Sequence, residues 1–273
     1  MDWKKLKSSL FVAIFFGAYV AFSSLISSVV FNYFKQDAFI AYTASLTASI
    51  LTVAVFLIFA LYFSGINPES LKLNVRSLKL NRSTVALAFI IGSLAMLLRY
   101  SFILLSVKAG FNSSADVLLW LFFLVLRECF FILNTMAFAF VAFKLLSRAW
   151  SPPSSAMLCA FTYGFAGAFA EQLLTWLGLS STGILEVFGT SFAVMFAIII
   201  SYAVSRNKWA PLAFTFGYVF TDYTIFKFLS FGQVSPGVRA LDAAVVMLSF
   251  AVAALMLQAL LKKEEASKTR KKR

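Results

Sequence analysis

Apolar stretches long enough to cross a lipid bilayer recur along the whole chain. They occur at about 8–34, 39–64, 84–107, 117–146, 154–177, 183–204, 209–231 and 240–261. A helix needs about 20 apolar residues to cross a hydrocarbon core of roughly 30 Å. A membrane β-barrel would instead show alternating segments of about ten residues, which this sequence lacks. Because backbone groups in lipid must bond to one another, the sequence predicts an all-α, polytopic integral membrane protein with about eight transmembrane helices.

The composition agrees with burial in lipid. Of the 273 residues, 61% are hydrophobic and 13% are charged, about half the charged share of an ordinary soluble domain. We therefore expect a single transmembrane domain over 1–261 and a basic cytoplasmic tail at 262–273. The first apolar stretch exceeds the roughly 7–15 residues of a signal-peptide core, so we interpret it as a retained span.

Lys and Arg fall mainly on one side of the predicted spans. Eighteen of them precede span one, occupy alternate loops or fill the tail, and three lie on the other side. Since cytoplasmic loops are enriched in basic residues, we expect a protein of the cell membrane with both termini in the cytoplasm. The net charge of +13 is spread over loops and tail, which favours anionic membrane lipids as partners over nucleic acid.

The Cys and His content excludes two kinds of site. The two cysteines, Cys129 and Cys159, both fall within predicted spans, which argues against an extracellular disulfide framework. There is no histidine, so an ordinary His-containing zinc site is excluded. We expect no metal and no cofactor.

Ionisable residues inside the spans are the candidate functional residues. A charge at the bilayer centre costs at least about 2.5–3.5 kcal/mol, so such residues need a reason to be there. This intramembrane charged cluster consists of Arg99, Arg127, Glu128, Glu171, Asp222 and Lys227. Glu186 lies near the outer end of span six.

Adjacent residues on a helix do not face one another, so Arg127 and Glu128 should each have a partner on another span. The opposite-charge pairs available are Arg127 with Glu171 or Asp222, and Glu128 with Arg99 or Lys227. A structural ion-pair network and a substrate, ion or catalytic site both explain the cluster.

Two further patterns concern packing. Span seven carries a polar stripe that we expect to face inward. Its members are Thr215, Tyr218, Thr221 and Asp222. Span five carries Gly164, Gly167 and Ala168 at helical spacing, which predicts close approach of a neighbouring helix.

Three short strings on predicted spans four, five and seven occur in an order that a known family shares. They are RECFFIL at 127–133, FTYGF at 161–165 and RNKWAPLAFTFGYV at 206–219. Their order, topology and spacing resemble the motifs of the CPBP family of intramembrane proteases and bacteriocin-processing proteins, relatives of the CAAX prenyl endopeptidase. The resemblance covers about 70–230 and implies a CPBP-like helical bundle.

The matching positions have lost most of the family's motif residues. In the first motif, EExxxR, Glu128 is kept, whereas Arg127 and Ile132 replace the first Glu and the Arg. In the second, FxxxH, Phe161 is kept and Phe165 replaces the His.

The third motif is HxxxN following a tryptophan and a proline. Trp209 and Pro211 are kept, and Thr215 and Val219 replace the His and the Asn. The family's chemistry, as the resemblance implies it, uses two glutamates and two histidines around a metal or an activated water. The resemblance therefore implies a degenerate member, with Glu128 as its one remaining catalytic candidate.

Three functions are compatible with these patterns. The first is a catalytically silent CPBP-like protein that binds a partner transmembrane helix or a lipidated peptide in the former substrate cavity. The second is a small transporter or channel with a charged intramembrane path. The third is an active intramembrane protease that uses Glu128. The missing motif residues favour a protein without enzymatic activity.

Overall fold

The computed structural model describes residues 3–34, 36, 38–66, 82–106, 109–111, 122, 125, 128, 130, 132–179, 183–205, 209–231, 244, 245, 248 and 255. Within these ranges the regular structure is helical, as predicted, apart from one pair of three-residue strands. The predicted tail at 262–273 lies outside the described residues.

The N-terminal part of the described chain is a helical hairpin. Its first arm consists of α1 (Trp3–Phe11), a π-helical turn (Val12–Phe16) and α2 (Gly17–Tyr33). The second arm is α3 (Ala38–Ser64). The two arms run antiparallel and pack through apolar and small polar side chains.

The remaining helices follow at the predicted spans. They are α4 (Arg82–Ser106), a π-helical segment (Met136–Ala142) continued by α5 (Phe143–Leu146), α6 (Pro152–Trp176), α7 (Ile184–Ser205) and α8 (Trp209–Phe228). Ser151 caps α6, with its Oγ accepting a hydrogen bond from the Ser154 backbone N–H, and Pro152 opens the helix. Proline is tolerated there because a first-turn N–H has no partner within the helix.

Five described helices are long and apolar enough to cross a membrane. They lie at Lys5–Tyr33, Thr43–Ser64, Val85–Leu105, Pro152–Trp176 and Ile184–Ala203. These are predicted spans one, two, three, five and six, and α8 forms a 20-residue helix at predicted span seven. Predicted span four is described at 122, 125, 128 and 130 and continuously over 132–146, where it forms a shorter apolar helix, and predicted span eight lies largely outside the described residues. The described helices also expose many large apolar side chains, as a lipid-embedded surface does.

Helices α4 and α8 run parallel and make the most extensive helix contact among the described residues. Their far ends continue into β1 (Ala109–Phe111) and β2 (Leu229–Phe231), which pair antiparallel with Gly110 opposite Ser230. This short ribbon was not predicted from the sequence. Parallel packing of α4 and α8 agrees with predicted spans three and seven crossing in the same direction.

Two glycines permit this close approach. A Cβ atom added at Gly92 would clash with the carbonyl oxygen of Phe214, and one added at Gly217 would clash with the carbonyl oxygen of Phe89. Ser93 adds a hydrogen bond across the same contact, since its hydroxyl donates to the Gly217 carbonyl oxygen at 3.2 Å. Small residues at a helix crossing allow such backbone contact in membranes.

The small residues predicted to pack in span five also lie at a helix contact. A Cβ at Gly164 would lie 3.0 Å from the Phe188 ring, and one at Gly167 would lie 3.4 Å from the Ser191 hydroxyl. They bring α6 against α7, as their spacing predicted, but less closely than Gly92 and Gly217 bring α4 against α8.

Candidate functional site

A cavity of about 840 Å³ lies between α4, α8 and the described part of predicted span four. Val125, Glu128 and Ile132 line it from span four, where their i, i+3, i+7 spacing places them on one helix face. The remaining walls come from the first turns of α4 and the first half of α8. The described residues of these walls are aliphatic or aromatic, and Trp209 contributes an indole ring.

Glu128 is the buried polar group of this cavity. It is only 6% exposed, whereas Val125 on the same helix face is 60% exposed. Ile90 and Phe216, which line the cavity from α4 and α8, are exposed as well. The cavity is therefore an open apolar groove with a carboxyl group at its base.

The sequence positions that match the family motifs do not all meet at this groove. Ile132 lines it, but Thr215 is fully buried with its hydroxyl donating to the Pro211 carbonyl oxygen at 2.7 Å. Val219 is fully buried among apolar neighbours. Arg127 lies outside the described residues.

Phe165, which stands where the family has a histidine, lies at a different surface. It is 63% exposed and lines a second groove, of about 420 Å³, between the N-terminal helical arm and α6. Its ring packs on that of Phe188 with centroids 4.9 Å apart. A histidine at position 165 would therefore line this second groove and not the groove that Glu128 lines.

The residues around Glu128 do not fit the metal that the resemblance implies. Zinc sites need three or four nitrogen, sulfur or carboxylate ligands. Among the described residues, no three Cys, Asp or Glu side chains lie close enough together to hold a metal ion. Of the described residues that line the groove, Glu128 supplies the one carboxylate, and the others are aliphatic or aromatic.

A second polar site lies further along α8. The Tyr100 hydroxyl donates to Asp222 Oδ1 at 2.7 Å, and the Arg99 guanidinium lies 5.9 Å from the centre of the Tyr100 ring. Asp222 is 4% exposed, and Tyr218 and Thr221 are buried beside it on α8. The predicted inward orientation of the polar stripe is thus confirmed. Sequence reasoning missed Tyr100 as the partner of Asp222.

A third polar contact, also missed, joins the N-terminal arm to predicted span four. The Tyr19 hydroxyl donates to the Asn134 side-chain oxygen, and both residues are buried. A sequence signal for it exists, because Asn134 interrupts an apolar run and Tyr19 lies mid-span instead of in the interfacial belt where tyrosine is common.

Comparison with known protein families, curated proteins and solved structures finds no match for this chain. Its function must therefore be inferred from its own residues.

The structure brings Arg99 and Asp222 to the same tyrosine, Tyr100, whereas Glu171 and Glu186 lie on other helices. Asp222 lies six residues beyond Phe216, the last groove residue on α8, which is about 9 Å along the helix axis. Glu171 is partly buried near the end of α6, and Glu186 lies in the first turn of α7. The side chain of Lys227 lies outside the described part of the chain. Pairing of Glu128 with Arg99 stays a prediction.

Proposed function

We propose that this protein is a catalytically silent, CPBP-like membrane protein that holds the apolar chain of a lipidated peptide in the Glu128 groove. The observation that carries the proposal is an open groove of about 840 Å³ whose described lining residues are apolar apart from one buried carboxyl group, that of Glu128. Ligand sites of about 300–1,000 Å³ with apolar walls and few polar groups are typical of small-molecule recognition.

The groove volume favours a lipid chain over a whole partner helix. A membrane-spanning helix about 10 Å across and 30 Å long occupies about 2,400 Å³. The groove of about 840 Å³ could therefore contact one face of such a helix but could not enclose it. A flexible hydrocarbon chain with a few peptide residues needs far less room, and it can slide in from the lipid side past the exposed Val125 and Ile90.

The position of the groove also suits a lipidated peptide. It is lined by Val85 to Ile90 near the start of α4 and by Trp209 to Phe216 at the start of α8. The charge pattern predicts that both helices begin at the cytoplasmic face. The groove would then open to the cytoplasmic leaflet, where a lipid-anchored cytoplasmic peptide inserts its chain.

The polar groups at the groove support binding without hydrolysis. Hydrolysis needs a water held and activated by a base or a metal, and donors aimed at the developing oxyanion. Glu128 lies among apolar side chains, Ile132 stands where the family has an arginine, and Phe165 faces another groove. Glu128 therefore acts as a recognition group for the ligand.

A small transporter is the second candidate function, and the buried Asp222 and Tyr100 pair favours it. Ionisable groups inside a membrane commonly mark ion or proton paths. Reconstitution into liposomes separates the two functions. A transporter predicts ion or proton flux that Asp222→Asn abolishes, and a binding protein predicts no flux in either form.

Photolabelling tests the proposed binding. The probe is a peptide whose S-linked alkyl chain carries a diazirine, applied to the protein in nanodiscs. We expect the label on α4, on the first half of α8 and on residues 122–133. Ala86→Trp fills the groove at an exposed lining alanine and should weaken labelling about tenfold, equivalent to about 1.4 kcal/mol of binding free energy.

The matched control is Ala13→Trp, an exposed alanine that lines the second groove. It should leave labelling unchanged. Label that maps to the second groove, or an equal effect of both substitutions, would overturn the assignment of the Glu128 groove as the binding site.

A further inference from the structure

The N-terminal arm and α6 begin side by side, at one surface of the membrane. Their apolar spans start at Lys5 and Pro152. Trp150 joins the two starts, because its indole N–H donates to the Ser9 hydroxyl oxygen at 2.9 Å and the Lys5 ammonium lies 5.3 Å from the centre of its ring. Tryptophan and lysine are both suited to the interface between hydrocarbon and water. We call this place the Trp150 patch, and it lies at the depth of the lipid head groups.

Arg148 adds a second positive charge to the Trp150 patch. It is exposed and lies two residues before Trp150, so their Cα atoms are at most about 7 Å apart. The turn that carries both is held by the Trp150 backbone N–H, which donates to the Leu146 carbonyl oxygen at 2.9 Å. Neither α1 nor residues 143–154 contain Asp or Glu. Because a guanidinium can donate two hydrogen bonds to one phosphate, the patch suits a phosphate group.

The second groove continues from the Trp150 patch into the bilayer. It lies between the N-terminal arm and α6, and its wall on α6 extends from Leu158 to Phe169. This length of helix is about 16 Å, close to the roughly 15 Å of hydrocarbon in one leaflet. Leu158 lies about 9 Å along α6 from Pro152, and the polar layer on each side of a bilayer is about 5–8 Å thick. The groove therefore begins near the depth at which acyl chains begin.

The second groove has one aromatic wall and one wall of small side chains. Three exposed rings lie four residues apart on α6, namely those of Phe161, Phe165 and Phe169. Small residues at the same interval line the groove from the N-terminal arm, and they are Ala13, Gly17 and Ala21. Small side chains leave room beside the rings, so this narrow open strip suits one flexible hydrocarbon chain.

We infer that the protein binds one anionic phospholipid here, with the lipid phosphate at Arg148, Lys5 and Trp150 and one acyl chain along the second groove. The charge of the patch complements the phosphate, and the length of the groove matches one leaflet. The charge pattern predicts that both spans begin at the cytoplasmic face, where anionic lipids give the leaflet its negative surface potential. This inference is independent of the Glu128 groove and of the proposed function.

Native mass spectrometry of the full-length protein tests the choice of head group. The probes are dioleoyl phosphatidylglycerol and dioleoyl phosphatidylcholine, which share their acyl chains and differ in net charge. We expect the first phosphatidylglycerol to bind about tenfold more tightly than the first phosphatidylcholine, a difference of about 1.4 kcal/mol. Arg148→Gln and Lys5→Gln should each reduce this preference severalfold.

The matched control for the patch is Lys7→Gln. It removes the same charge from an exposed position of the same helix, but it lies about 200° around the helix from Lys5. The preference for phosphatidylglycerol should therefore stay as in the wild type. A loss in Lys7→Gln as large as that in Arg148→Gln would assign the preference to overall charge and overturn the Trp150 patch as a site.

A second pair of variants tests the place of the acyl chain. Ala13→Trp fills the second groove and should weaken binding of both lipids severalfold, whereas Ala86→Trp, in the Glu128 groove, should weaken neither. Thermal unfolding in the same detergent confirms that each variant is folded. Unchanged lipid binding in Ala13→Trp would overturn the groove as the acyl site.

Two further outcomes concern the ligand itself. Equal affinity of the wild type for both lipids would overturn the anionic head group. Soluble glycerol 3-phosphate carries the same phosphate without acyl chains, and an excess of it should leave phosphatidylglycerol bound. Displacement of the lipid by glycerol 3-phosphate would overturn a phospholipid as the source of the phosphate.

Discussion

Replacing Gly217 by alanine should separate α4 from α8. The added Cβ would lie well inside 3.0 Å of the Phe89 carbonyl oxygen, a distance that real Cβ atoms essentially never show. The obstacle is backbone, so no side-chain rotation can relieve it. The helices would have to move apart by roughly 1 Å to restore an ordinary contact.

The magnitude follows from two opposing effects. Overpacking in a well-packed interior costs about 1–3 kcal/mol, and a backbone clash belongs at the upper end of this range. Alanine recovers about 1 kcal/mol because glycine is a poor helix former. The net loss of about 2 kcal/mol corresponds to a fall in melting temperature of roughly 4–8 °C for a chain of this size. Because Phe89 also lines the groove, lipidated-peptide binding should weaken too.

The assay is thermal unfolding of the purified protein in one detergent, with Gly167→Ala as the matched control. A Cβ at Gly167 would lie 3.4 Å from the Ser191 hydroxyl, which is an ordinary contact. Gly167→Ala should therefore keep or raise the melting temperature. A Gly217→Ala protein as stable as the wild type would refute the close crossing of α4 and α8.

Three further predictions concern the polar and motif positions. Tyr100→Phe should lower the free energy of unfolding by about 1–3 kcal/mol, because it removes the hydroxyl that donates to the buried Asp222. Tyr62→Phe, at an exposed tyrosine, should leave the free energy of unfolding unchanged. Chemical or thermal unfolding measures both effects. Phe165→Ala should leave lipidated-peptide affinity unchanged in a binding titration, since Phe165 lies at the other groove. Metal analysis of the purified protein should find no bound zinc, either in the wild type or in Glu128→Gln. Zinc that is bound by the wild type and absent from Glu128→Gln would contradict the assignment of Glu128 to ligand recognition.

Much of the helical architecture could be predicted because a lipid environment constrains it so strongly. Apolar length alone located the five described spans and α8, since the bilayer sets a minimum helix length. The inward face of α8 was predictable for a similar reason. Thr215, Tyr218 and Asp222 recur at helical spacing, and polar groups avoid lipid.

The helix partners could not be predicted, because periodicity identifies a face without naming its neighbour. Gly92 and Gly217 lie far apart in the sequence and meet only through the parallel packing of α4 and α8. The same packing brings Tyr100 to Asp222. Phe165 illustrates a second limit, since α6 is apolar on nearly every face and its pattern does not tell which side meets lipid.

The candidate site was predictable only in part. Glu128 was identifiable as an ionisable residue inside a span, because charge in lipid is costly. Its place in an apolar groove that Trp209 and Phe216 also line depends on the meeting of three helices. The phenylalanines that line this groove could not be identified from the sequence, because phenylalanine is abundant along the whole chain.

The most direct test of the account follows the fate of a lipidated peptide on the purified protein. A lysine-containing peptide with a fluorophore at each end is incubated with the wild type and with Glu128→Gln in nanodiscs, and both retention and cleavage are measured in the same sample. The account predicts that the wild type retains intact peptide and that Glu128→Gln retains less. Cleavage products that disappear in Glu128→Gln would contradict it and identify the protein as an active intramembrane protease.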